Sequence, residues 1–361
     1  MIEKLTLVIP TYNRQQFALR NMRFWSGRGS TVHVLDGSKH PIRKELLTSF
    51  EDNIHYHHWP YPQIDRLGKI RELINTPYTC MLGDDEFFLP SGLIASIKEL
   101  DANQDLVSCM GRTVLFSWKN NKLRGFPQYL SQGGCKILHN TSAERMRYHC
   151  ENYTPSTLYS VVRTDVWKRS LEPSVKKEYP IYCQLEMQFE ISVCYFGKSL
   201  VIPTLVWIRS GEANQDINDT DISRNRNNLP FKKWWVKADV KEERKEFLKL
   251  MVEALSGLKD NQELEKDLND AFIMFAKSER SLLLLLRRFK KNIFESLVRN
   301  LPQTVKDFLI EKIFFLHELP SLRQMVETMA ASDVKVSFEE LEEIQQIVLD
   351  FHQERLRQYG S

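Results

Sequence analysis

Residues Met81 to Pro90 read Met-Leu-Gly-Asp-Asp-Glu-Phe-Phe-Leu-Pro, with three consecutive carboxylates in the middle of the run. An apolar stretch leads into them (Tyr78, Cys80, Met81, Leu82), with the length and character of a buried strand. Parallel α/β sheets bind ligands at the carboxyl ends of their strands. Three acids at such an end, Asp84, Asp85 and Glu86, repel one another unless a cation sits among them. A divalent ion carrying phosphate oxygens would serve, since Mg²⁺ favours one or two carboxylates plus a substrate phosphate. A solvated acidic turn ahead of a helix starting near Pro90 accounts for the same residues without a ligand.

Upstream of this turn, strand-like and helix-like segments alternate. A strand over 5–9 is stopped by Pro10-Thr11-Tyr12-Asn13-Arg14, and a helix over 15–25 is closed by Gly27 and Gly29. A second strand, 31–35, ends at Asp36-Gly37-Ser38. A helix over 43–50, a strand over 54–58 and a helix over 64–73 follow. This alternation predicts βαβ units and an α/β domain with a mainly parallel sheet. Downstream the pattern predicts a helix at 93–100, a strand at 106–118 and a polar loop at 119–134. A strand at 156–163, a helix at 181–196 closed by Gly197, a strand at 200–209 and a polar loop at 210–228 complete this part. From about Pro230 glycine becomes rare and apolar residues recur at helical spacing. Helices are predicted at 240–258, 262–297, 303–317, 319–331 and 337–357, broken near Pro302 and Pro320. The change in character divides the chain into an α/β domain, 1–229, and a helical domain, 230–361.

Composition narrows the function classes. With 42% hydrophobic and 27% charged residues over 361 positions, the chain folds around a large core. A net charge of +3 supplies no field that would demand nucleic acid. The first residues show no signal-peptide pattern, no stretch approaches the ~20 apolar residues of a membrane span, and six scattered cysteines read as reduced thiols. These features predict a cytoplasmic protein.

Four pieces stand in order: Val8 to Arg14, Leu35-Asp36-Gly37-Ser38, the Asp84-Asp85-Glu86 turn, and Glu186 on a helix closing at Gly197. In this the first 210 or so residues resemble the family 2-like, GT-A-fold glycosyltransferases of bacteria. The resemblance implies a nucleoside-diphosphate sugar donor, a Mn²⁺ or Mg²⁺ ion, and a saccharide or lipid-linked acceptor in cell-surface polysaccharide or glycoconjugate assembly. It places Pro10, Thr11, Asn13 and Arg14 around the base and ribose, and Asp36 on the base. The family usually carries Asp-x-Asp at the acidic turn, whereas Gly83 stands here where a first acid often does. On that alignment Asp85 is the principal metal ligand, and Asp84 serves the ribose or supports the ligands from behind. Glu86 is a further ligand, through water, or else a charge at the helix N-terminus. The cations of Asp65-Arg66-Leu67-Gly68-Lys69 make Arg66 and Lys69 candidates for offsetting diphosphate charge, although basic residues on a helix are commonly solvated. An inverting transfer needs a general base for the acceptor hydroxyl. Glu186 is the candidate, in place of the usual Asp, with Glu190 one turn away as the alternative. Arg209 could assist the phosphates, and the polar segment 210–228 suits a loop over the donor.

Two features stand apart from that constellation. His55 and His57 share one strand face, as a metal pair or as part of a half-exposed sheet would. Residues 282–297 carry an apolar stripe beside Arg287, Arg288, Lys290 and Lys291, which fits an anionic membrane surface or a bundle or homodimer interface. Two other functions suit parts of the pattern. A sugar nucleotidyltransferase would need a glycine-rich basic loop after the first strand, and Pro10-Thr11-Tyr12-Asn13 has none. A non-catalytic nucleotide-binding scaffold would bind nucleotide without releasing nucleoside diphosphate.

Overall fold

The computed structural model describes residues 1–119, 121–154, 157–177, 179, 182–212, 229–256, 260–277 and 320–359. The first strand, β1 (Leu5–Thr11), alternates as a doubly covered strand must. Leu5, Leu7 and Ile9 enter one core and Val8 the other. Helix α1 (Gln15–Trp25) leads to β2 (Thr31–Asp36) and then β3 (Ile54–His58). Helix α2 (Gln63–Leu73) crosses back to β4 (Tyr78–Met81), which is followed by the short β5 (Phe87–Phe88) and α3 (Pro90–Ala102). Then come β6 (Leu106–Lys119), β7 (Lys122–Pro127), β8 (Lys136–Ile137), α4 (Ser142–Glu151), β9 (Val161–Arg163), α5 (Thr164–Ser170), α6 (Glu172–Lys176), α7 (Tyr182–Phe196) and β10 (Lys198–Ser210).

These strands form one sheet in the order β3-β2-β1-β4-β9-β6-β10-β5, with β7 added on β6 and β8 on β10. The α/β class and mixed sheet expected from the sequence are present. The four strands β3, β2, β1 and β4 are parallel, while β9 runs against its neighbours β4 and β6. From β1 the chain steps to β2 and β3, then returns to β4 on the other side of β1. The connections therefore reverse direction between β1 and β4, where sheets of this kind open a crevice at the strand ends. Register brings Thr11 opposite Asp36 across β1 and β2. Beyond β4, the Leu82 N–H bonds the Val8 carbonyl at 3.0 Å, so the acidic turn emerges beside the end of β1.

Three local differences from the sequence pattern have physical causes. Instead of a helix over 43–50 there is a single 3₁₀ turn, Lys44–Leu46. The Ile42 N–H is tied to the Tyr56 hydroxyl at 2.9 Å, and so short a segment cannot nucleate a helix without a packed face. The expected loop 119–134 holds β7, hairpinned onto β6 with Asn121 at φ 55 in the turn. Helix α4, absent from the sequence reading, starts at a capping box in which Thr141 and Glu144 satisfy each other's backbone N–H groups.

The later helices pack in two places. Helices Phe231–Val236, Lys241–Leu255 and Asn261–Lys277 bury Phe231, Trp234, Phe247 and Phe272 against α4 and α7. Helices Leu322–Ala330 and Phe338–Tyr359 instead bury Leu322, Val326, Leu341, Ile344 and Val348 in the same core as Leu5, Leu7 and Ile9. Ile344→Ala should therefore destabilise the sheet-bearing part by about 2–5 kcal/mol, read by chemical denaturation. No helix among the described residues is long and apolar enough to cross a membrane. Residues 213–228 of the loop expected at 210–228, the expected amphipathic stripe 282–297 and the helix expected at 303–317 lie outside the described residues.

Candidate functional site

Three carboxylates at the end of β4 would normally seek water, yet Asp84, Asp85 and Glu86 are 5%, 7% and 8% exposed. Helix α1 holds their backbone: Arg20 donates to the Asp85 carbonyl (2.8 Å), and Asn21 donates to the carbonyls of Asp84 (2.6 Å) and Glu86 (3.0 Å). The side chains then divide. Asp84 accepts from the Thr11 hydroxyl at 2.7 Å, and the Arg14 guanidinium lies 3.1 Å from Asp84 and 2.6 Å from Asp85. These two Arg14 contacts are charge contacts without hydrogen-bond alignment. Glu86 points elsewhere, accepting from the Trp207 indole at 2.9 Å with Arg209 at 3.6 Å. Asp84 and Asp85 thus share Arg14, while Glu86, the partner of Asp85 in the sequence reading, turns toward Trp207. Burial, then the neighbouring charge of Asp85, pushes the Glu86 carboxyl upward, with Arg209 opposing. Burial likewise raises Asp84 against the pull of Arg14. The corner holds more negative charge than its protein partners neutralise.

Beside it, the ends of β1 and β2 are tied together. Asn13 takes φ 55, a left-handed conformation that Asn tolerates, and its N–H bonds the Ser38 hydroxyl at 2.8 Å. Pro10 sits within β1, and Tyr12 stands 51% exposed above the strand ends. Asp36 accepts from the Ser38 N–H (2.8 Å), Gln15 (2.6 Å) and the Tyr56 hydroxyl (2.6 Å). Burial pushes this carboxyl up, but those hydrogen bonds outweigh it and hold the group below its ordinary value. Arg66 lies under the strand ends, donating to the carbonyls of Thr11 (2.8 Å), Leu35 and Tyr61 (3.1 Å). Gly37 leaves it room, since a Cβ there would lie 2.7 Å from the guanidinium carbon. Lys69 is farther along α2, with its ammonium over the rings of Trp59 (4.7 Å) and Tyr61 (5.3 Å). The histidines make a ladder across β2 and β3: His33 stacks on His55 with ring centres 4.9 Å apart and bonds His57 at 2.9 Å.

On the other side of Glu86, Trp207 lies between the rings of Tyr129 (5.8 Å) and Tyr159 (4.4 Å), and the Arg209 guanidinium sits over Tyr129. Glu186 of α7 feels the charge of Arg209, which pulls its carboxyl downward. Burial dominates there, aided by the charge of Glu190, and pushes the half-buried Glu186 up to about 7. Glu190 is fully buried and accepts from His149 at 2.7 Å, with the Leu158 N–H at 3.5 Å. It is part of the packing between α4 and α7, and its partner His149 lines a small recess with Gln132, Asn152 and Thr157.

A cluster that sequence reasoning missed lies beneath the turn. Arg20 donates to both oxygens of Glu212 (3.0 and 2.7 Å), and Glu212 also contacts His352 of the helix Phe338–Tyr359. Burial pushes Glu212 up, but Arg20's charge and the His352 contact outweigh it and hold the carboxyl down at about 2. A depressed acid contributes stability that is full above its unfolded value, near 4.5, and is lost as pH falls toward 2. Glu212→Gln should lower stability at pH 7 and flatten the loss between pH 4.5 and 2 in urea titrations.

Among the described residues no group of three or more His, Cys, Asp or Glu side chains could hold a metal ion by itself. The donor set of the corner still suits one. Two buried carboxylates converge on a single positive group, and a Mg²⁺ or Mn²⁺ ion completed by phosphate oxygens needs no more from the protein.

No protein-family profile and no curated protein matches this chain. Among solved structures it is similar to S. aureus TarS. Against residues 1–349 of TarS the identity is 12% and the TM-score 0.46, covering 74% of this chain and 70% of that one. The same fragment in complex with UDP-GlcNAc gives 12% and 0.46, covering 75% and 72%, and in complex with UDP 13% and 0.44, covering 99% and 92%. Against the longer TarS structure this chain spans 44% of that chain's length, with a TM-score of 0.44.

Proposed function

We propose that this chain is a metal-dependent, inverting glycosyltransferase of the GT-A type, moving a sugar from a nucleoside-diphosphate donor to a hydroxyl of a saccharide or lipid-linked acceptor. The observation that carries the reading is the Asp84–Asp85 pair, buried at the reversal point of the sheet and closed on the Arg14 guanidinium. The base and ribose would lie over the ends of β1 and β2, where the ring of Tyr12 is open for stacking. Asp36 and Arg66 would act there by shaping the strand ends. The diphosphate would lie along the corner, between the guanidinium groups of Arg14 and Arg209, whose forked donors suit phosphate.

Glu186 would take the proton of the acceptor hydroxyl as that oxygen attacks the anomeric carbon, and the bond from that carbon to the diphosphate oxygen breaks. A base near 7 is matched to this task at neutral pH. A Mn²⁺ or Mg²⁺ ion held by Asp84 and Asp85 would neutralise charge on the departing diphosphate.

The test is a thermal-shift screen of UDP, GDP and CMP sugars with and without Mn²⁺ or Mg²⁺, followed by measurement of released nucleoside diphosphate or monophosphate. A stabilising diphosphate donor whose effect requires the metal, with slow metal-dependent release, supports the reading. Binding without release in the presence of saccharide acceptors would leave a nucleotide-binding scaffold, and no binding at all would end the proposal.

A further inference from the structure

We infer that the helix Phe338–Tyr359 positions the acidic turn through an unbroken line of buried contacts, from His352 to Glu212 to Arg20 to the Asp85 carbonyl. Arg20, Glu212 and His352 are 1%, 3% and 9% exposed, so water cannot replace any contact in the line. Each member is held so that it has one place to be. The Trp118 ring lies flat on His352, with centres 4.4 Å apart and an interplanar angle of 1°. The Ser210 hydroxyl donates to Glu212 at 3.1 Å and accepts the Glu212 N–H at 3.0 Å. The rings of Phe17, Phe87 and Phe351 surround the Arg20 guanidinium at 5.0, 5.1 and 4.6 Å.

Arg20 uses one nitrogen on both Glu212 and the Asp85 carbonyl, so the anchor and the turn cannot move independently. Asn21, the next residue, takes the carbonyls on either side, those of Asp84 and Glu86. With all three carbonyls drawn toward α1, the peptide planes of the turn are set, and the directions of its carboxylates follow. Two of these planes rest on Asn21, which needs no help from elsewhere. The middle one rests on Arg20, whose charge is neutralised only by Glu212 within the line, and Glu212 in turn leans on His352. These are positioning residues. That the turn they hold is the diphosphate corner rests on the functional reading above, but that the helix holds the turn does not.

A cluster of this kind could also do nothing but stabilise the fold, and the experiment separates the two. Hydrogen exchange of the ligand-free full chain is followed by mass spectrometry on a peptide spanning 82–89. The variants are Glu212→Gln, His352→Phe, which keeps the stack on Trp118, and His352→Gln, which restores an N–H donor. Ile344→Ala, on the same helix but outside the line, serves as the matched loss of stability. The 82–89 peptide should exchange on the order of tenfold faster in Glu212→Gln and His352→Phe than in Ile344→Ala, and in His352→Gln it should return to the native rate. Should Glu212→Gln fail to fold, Arg20→Lys keeps the charge but cannot hold Glu212 and the Asp85 carbonyl together, and should behave as Glu212→Gln would. Unchanged exchange in the line variants, or an equal rise in Ile344→Ala, overturns the inference. Titration of the same proteins with UDP, GDP or CDP plus Mn²⁺ keeps the two claims apart. Faster exchange with no nucleotide bound even by the native chain leaves the clamp standing and removes the functional reading.

Discussion

Asp85→Asn is expected to abolish metal-dependent binding of nucleoside diphosphate while raising the melting temperature of the ligand-free chain. The two effects have one cause. Asp85 is a buried carboxylate whose charge pushes both Asp84 and Glu86 upward, so the native corner is held together against its own repulsion. Removing that charge relieves both neighbours, and Arg14 keeps Asp84 at 3.1 Å as its counter-ion. A relief of about 1 kcal/mol would appear as a rise of roughly 2–4 °C. With a single carboxylate left on the pair, affinity for diphosphate plus Mn²⁺ should fall by several kcal/mol, roughly a hundredfold or more in Kd. Calorimetric titration and a melting curve on the same sample decide it. A variant that unfolds would make the turn structural, and one that binds normally would move the metal elsewhere.

Glu186→Gln should bind donor within about threefold of the native chain and turn over about 10²–10⁴-fold more slowly. The native rate should carry a matching pH signature. Burial, then Glu190, pushes Glu186 up to about 7, and a base works only when ionised, so kcat should climb with pH through about 7 and level off above it. The variant should lose that limb. Glu190→Gln offers the contrast: it weakens the acceptor for His149 and the Leu158 N–H inside the packing of α4 on α7, so stability should drop. Near-normal turnover of Glu186→Gln together with a collapsed rate in Glu190→Gln would reverse the two roles.

What could be foreseen from sequence was whatever depends on local pattern. Strands β1, β2 and β4 announce themselves because apolar runs end at Pro10, at Asp36-Gly37 and at Gly83, and the acidic turn marks the end of β4. Helix α1 was legible to the residue, since Gln15 to Trp25 is bounded by a polar turn and two glycines. Pairings formed across the fold were not legible. No spacing rule connects Arg20 to Glu212, 192 positions away, or Glu212 to His352, 140 positions further on. The direction of Glu86 was hidden for the same reason, because Trp207 and Arg209 arrive on a strand from the far end of the sheet. Some signals were present and unread, such as Thr141-x-x-Glu144 at the start of α4 and the Asn-Asn pair at the β6–β7 hairpin. Arg66 shows the opposite hazard: a basic residue on a helix, readable as solvated, is buried under the tips of two strands.

The shared core of Leu5 and Ile344 has a temporal consequence. A nascent chain emerges in order, and 339 positions separate these two neighbours. At about 5–20 residues per second, roughly 20–70 s pass on the ribosome between synthesis of β1 and of the helix that completes its core. During that interval the side of α1 on which Phe17 meets Phe351 is apolar and uncovered. Synthesis of this protein should therefore lean on holding chaperones in proportion to how slowly the codons between Leu5 and Ile344 are read.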